Sequence, residues 1–153
     1  MGADIYLESI NNACREKWEP KFKAAIVKRN ALPRDSKEAK AAQREADQAY
    51  NGMFSDGYFR DSYNGYGLFA QTKLSWWRDV VPMLRDGYLP IDQAQLLHAR
   101  VAEAKLDLAS ARKVAMEQEE PSPRLEEYEV LRNKLLAILE LSIKLGEPLC
   151  CSL

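Results

Sequence analysis

Histidine, cysteine and long apolar runs are scarce in this 153-residue chain, and each scarcity excludes a kind of chemistry. His98 is the sole histidine, with no Ser or Cys close by in sequence to make a nucleophilic dyad, so a solvated or packed imidazole is expected. The three cysteines, Cys14, Cys150 and Cys151, are an odd set. Adjacent cysteines stand about 3.8 Å apart at Cα, shorter than disulfide geometry favours. A reduced, cytoplasmic setting is the simplest expectation. Cys-x-x-Cys, His-Glu-x-x-His and EF-hand spacings are missing, so no metal is expected. Gly65-Tyr66-Gly67 lacks both the preceding strand and the following Lys-Ser/Thr of a phosphate loop, and no cofactor is expected.

Charge of one sign is missing as well. A net charge of −1 gives no pull toward nucleic acid or an anionic membrane. No apolar run approaches the length of a bilayer span, and the opening MGADIYLES has no secretory signal pattern. The same opening starts like a myristoylation signal, but Tyr6 stands where Ser or Thr is wanted. Cys150-Cys151-Ser152-Leu153 formally fits a prenylation box. Ser152 is a poor aliphatic, and no polybasic stretch precedes it. A short buried strand is the better reading.

What the chain does have is concentrated between Gly57 and Asp86. Seven large rings crowd this stretch: Tyr58, Phe59, Tyr63, Tyr66, Phe69, Trp76 and Trp77. Two Arg–Asp doublets, Arg60-Asp61 and Arg78-Asp79, sit among them. Aromatics carry the most apolar area per residue and arginine the most versatile donor fork. The segment is therefore either the core's keystone or the site.

On either side the chain reads as plain helix. Ala3–Leu7 alternates like a strand. From Ser9 an apolar residue recurs every fourth position, from Ile10 through Cys14, Trp18 and Phe22 to Ile26, with Pro20 inside the stripe. Asp35 and Glu38 form a capping box before a small-residue stripe running from Ala39 to Met53. Leu68–Leu74 is expected as a short helix, and Ser75 as N-cap of another whose apolar side is Trp77, Val80, Val81 and Leu84. Asp92 and Gln95 cap a long helix with a seam from Ala94 to Ala115. Ser122-Pro123 opens the last helix, which Gly146 and Pro148 stop. Leu149–Leu153 is extended, and its natural partner is Ala3–Leu7. The fold class expected is mainly α: one domain over 1–153, a helical bundle with a long C-terminal antiparallel helix hairpin and two short paired terminal strands.

Each candidate for chemistry has a plainer alternative. Asp61 and Asp79, tuned by Arg60 and Arg78, have the makings of an acid–base pair. Buried Arg–Asp pairs tying loops to helices are the commoner use of such doublets. Tyr58, Tyr63, Arg60, Trp76 and Arg78, with Asn64 in the intervening turn, would stack a flat ring and hold an anion beside it. The same rings would equally anchor a small bundle.

MGADIY, the central YFRDSYN followed by LSWWRDV, and the closing GEPLCCSL together resemble a group of uncharacterised small proteins from bacteria and their phages. The resemblance implies a bacterial or phage origin and carries no reaction with it. The expectation is a non-enzymatic binding or regulatory protein that recognises an unidentified protein partner or ligand through residues 58–79. The alternative is a small-molecule site, such as one for a nucleotide, using Arg60 and Arg78. An acid–base enzyme using Asp61 or Asp79 comes third.

Overall fold

A computed structural model describes residues 2–122 and 124–153. The chain forms two compact units, Glu8–Tyr58 and a second built from residues 2–7 with Phe59–Leu153. Helix predominates, accompanied by a small four-stranded sheet. Among the described residues no helix is long and apolar enough to cross a membrane.

The first unit is a helical hairpin, α1 (Glu8–Asn30) and α2 (Lys37–Met53). Pro20 lies inside α1, which continues through it. The every-fourth stripe is half-buried along its whole length. The alanine stripe of α2 forms as its spacing predicts: Ala39, Ala42, Ala46, Ala49 and Met53 are all buried. Small residues allow close approach, and Trp18 lies directly over Gly52, where a Cβ would overlap the indole. Asn11 donates from Nδ2 to the Met53 carbonyl at 3.0 Å, which ties one end of the hairpin. The cap of α2 falls one residue later than expected. Ser36 rather than Asp35 accepts from Ala39 N, because the extended Ser36 backbone points its hydroxyl at the first turn.

In the second unit the strands β1 (Gly2–Tyr6), β2 (Tyr58–Ser62), β3 (Tyr88–Leu89) and β4 (Leu149–Ser152) make a sheet of order β2-β1-β4-β3. The expected terminal pairing is present, with Ile5 opposite Cys151 in an antiparallel ladder. Ala3, Ile5, Leu149 and Cys151 face inward. Burial pushes the Cys151 thiol up to about 12, which disfavours its thiolate. Two strands were not anticipated. β2 carries what read as loop, and β3 follows a two-residue turn whose Asp86 and Gly87 both have positive φ (51° and 82°). Arg85 and Tyr88 exchange backbone hydrogen bonds of 2.8 and 2.9 Å across that turn, the hairpin geometry that Asp-Gly favours.

The long helix expected after Asp92 is two helices, α3 (Ile91–Glu103) and α4 (Leu108–Glu117). Three bonds hold the break. Tyr128 Oη donates to the Ala104 carbonyl (3.1 Å), Asp107 N donates to the Gln71 carbonyl (2.8 Å), and the Asp107 carboxylate caps α4 through Ser110 N (3.1 Å). Asp92 is not a cap. α3 begins at Ile91 after Pro90, leaving the Asp92 carboxylate to Gln93 and Arg85. α5 (Leu125–Leu145) packs on α3, and His98 Nε2 meets Glu140 Oε1 at 2.9 Å between them. Arg124 occupies the N-cap of α5, while Pro123 of the expected Ser122-Pro123 start lies outside the described residues. Gly146 closes α5 with φ +65°.

Candidate functional site

The aromatic segment is organised around a carboxylate. Asp61, on β2, is fully buried. It accepts from Leu68 N (2.6 Å), Phe69 N (3.2 Å) and Trp76 Nε1 (2.7 Å). Burial raises its pKa, and these three bonds together with one from the Ser62 backbone oppose that rise. Residues 68–74 wrap the carboxylate as turns instead of forming the expected short helix, because two consecutive amides are committed to Asp61. Trp76 is stacked on Phe69 at 4.1 Å and 13°. Gly67 lies so close to the Ser62 carbonyl that no Cβ fits between them.

After this hub comes a single π-helical turn, Trp76–Val80, then a 3₁₀ turn, Val81–Met83. Ser75 is the N-cap, as its sequence predicts. It accepts from Arg78 N, and its own N donates to Asp79 Oδ2 at 2.7 Å. The face that turns inward is Trp76, Val80 and Met83. Of the expected face of Trp77, Val80, Val81 and Leu84, Val80 is buried and Leu84 half-buried, while Trp77 and Val81 are turned out, because Trp76 is pinned by Asp61 and two adjacent tryptophans on a helical turn point apart. Trp77 is left 61% exposed.

The two segments meet, though not through arginine. Arg60 and Arg78 are 55% and 66% exposed, so neither is a buried staple. Arg60 Nε stands 3.7 Å from Asp4 on β1. Arg78 binds its own neighbour Asp79 through Nη2 at 2.8 Å and also donates to the Lys73 carbonyl. The Arg78 guanidinium holds the Asp79 carboxyl below the usual aspartate range. Asp61 is enclosed, and Asp79 is engaged by Arg78 and by Ser75 N. Asp61 and Trp76 meet in the interior of this segment.

Tyr63 and Trp77 form the open part. Their rings are 6.2 Å apart at 35°, on the rim of a cleft of about 220 Å³ floored by Phe69 and Trp76. The Tyr63 hydroxyl is enclosed and has no hydrogen-bond partner among the described residues. Burial, with Asp4 and Asp61 adding to it, raises its pKa. Asn64 shapes the turn by accepting from Tyr66 N at 3.0 Å. Tyr58 belongs to the other unit, where its ring lies 4.8 Å from Phe54.

A larger groove of about 610 Å³ shares Leu74 with this cleft. Lys73, Arg100 and Lys105 line it with Glu103 and Asp107. From the sequence Arg100 and Lys105 read as part of a solvated charged face, because they lie far from the aromatic segment in the chain. The fold brings Arg100, from the last turn of α3, and Lys105, from the break after it, to one groove with Lys73. Compared with protein-family models, curated proteins and solved structures, the chain has no match.

Proposed function

We propose that the protein is a non-catalytic binding or regulatory protein, of bacterial or phage kind and cytoplasmic, whose recognition surface is the open side of residues 58–79. The observation that carries this reading is Trp77, held 61% exposed beside Tyr63 on a floor fixed by the Asp61 hub. A large ring kept in water costs stability and gains it back when a partner covers it. Rigid placement lowers the ordering cost of that contact. Arg78 stands next to it with Nε and Nη2 engaged by Asp79 and the Lys73 carbonyl and Nη1 unengaged among the described residues, suited to the polar rim of such a contact.

The test is Trp77→Ala, beside wild type, in melting and in native mass spectrometry of complexes retained from host extract. The variant should melt within about 0.5 kcal/mol of wild type, as surface changes do, and lose the retained species. Retention of every species by Trp77→Ala would overturn the reading.

A second reading has its own support in Leu74, which lines both cleft and groove. A small ligand with a flat ring on Tyr63 and Trp77 and an anion toward Lys73 and Arg100 would span both. Nucleoside mono- and triphosphates, titrated against the Trp77 indole N–H resonance, test this. A saturable shift lost in Arg100→Ala supports it, and no shift at millimolar ligand ends it.

A further inference from the structure

Residues 28–44, KRNALPRDSKEAKAAQR, hold six basic residues against two acidic ones, in a chain whose overall charge is nearly balanced. They form the tip of the α1–α2 hairpin and enclose a cavity of about 580 Å³. Its lining includes Arg29, Arg34 and Lys40 and contains no carboxylate. Asp35 and Glu38 flank the tip but do not line it.

Arg29 is the telling residue. Its Nη1 donates to Gln43 Oε1 at 2.6 Å, while Nε and Nη2 donate to Asn30 Oδ1 at 3.2 and 2.8 Å. Gln43 is itself anchored, donating from Nε2 to Asp47 Oδ1 at 2.7 Å. The guanidinium is thus held in place by two amides, which fix its direction without neutralising its charge. A guanidinium has five N–H donors, and these bonds use three. One N–H on each terminal nitrogen stays unengaged among the described residues. These two donors, on a guanidinium whose charge is not neutralised, are the kind that a phosphoryl oxygen accepts from. Ala39, whose N–H is already taken by the Ser36 cap, also lines the cavity as a small apolar wall.

We propose that this cavity is a binding site for a small phosphoanion carrying at least two charges, such as a diphosphate group, with Arg29 as the donor and Arg34 and Lys40 as flanking cations. It lies wholly within the Glu8–Tyr58 unit and does not rest on the reading given for residues 58–79.

Isothermal titration of the full chain with inorganic phosphate and with diphosphate, at low and at 0.15 M salt, tests it. One-to-one binding is expected, at least tenfold tighter for diphosphate. Arg29→Gln should weaken it at least tenfold. Arg34→Ala, a change at an exposed side chain that leaves the hairpin core untouched, should weaken it severalfold. Arg78→Gln, in the other unit, should change nothing. The proposal is overturned if diphosphate does not bind wild type, or if binding survives both Arg29→Gln and Arg34→Ala. Retention of duplex DNA without diphosphate binding would overturn it too, since the basic tip would then be a backbone contact and the cavity would hold no small anion.

Discussion

Asp61 and Asp79 are the same residue type about twenty positions apart, yet their surroundings move them in opposite directions. Burial favours the neutral form of Asp61. The stability tied to that group is therefore whole below the ordinary aspartate value and is lost as pH rises through its raised one. Asp79 runs the other way. Its share is whole above the ordinary value and lost as pH falls through the depressed one. Carboxyl ¹³C titration should place Asp61 above the usual aspartate range and Asp79 below it. In Arg78→Gln the Asp79 midpoint should move up while Asp61 stays, and the reverse order would contradict the geometry. Trp76 gives a second residue-scale expectation. Trp76→Phe keeps a ring against Phe69 but removes a donor to a buried carboxylate, so it should cost roughly 1.5–3 kcal/mol. Chemical denaturation measures it, with Trp77→Phe as the near-neutral comparison.

Among the elements, the helix starts separate what was legible from what was not. Ser75 and Gly146 do what their residue types suggest, because a cap needs only one side chain or one permissive φ. Asp35 and Asp92 read as caps and are not, since the choice between neighbouring starts depends on which backbone residue turns extended. Ser36→Ala should cost about 1 kcal/mol in urea melts and Asp35→Ala far less, and equal effects would return the cap to Asp35. The break between α3 and α4 was illegible for a different reason. Every position of the seam from Ala94 to Ala115 keeps helical spacing, and of the bonds that interrupt it only the Asp107 cap is local, the others coming from Gln71 and Tyr128, remote in sequence. The site was legible in part. Aromatic crowding located it, but which tryptophan faces water was decided by the Asp61 bond, which no local pattern encodes.

For the whole molecule, the two units differ in what they bury. The hairpin of residues 8–58 buries mainly alanines, together with Met53 and Asn11. The other unit buries Ile5, Leu7, Leu68, Leu89, Leu97, Leu135, Leu139 and Leu149, with several times the apolar area per side chain. Since stabilisation scales with apolar area removed from water, amide exchange should be faster in α1 and α2 than in β1, β4 and α5. Hydrogen exchange read by mass spectrometry tests this, and uniform protection would mean that both units open together. The strand order has a further consequence, for synthesis. β1 leaves the ribosome first and β2 soon after, yet the strand that lies between β1 and β3 is β4, the last made. Until β4 is made, β1 can pair with β2 on one side only, and its other edge has no ladder to join. Contacts of such sequence separation form slowly. A nascent chain halted before Leu149 therefore presents a bare strand edge to chaperones, and to other nascent chains of its own kind.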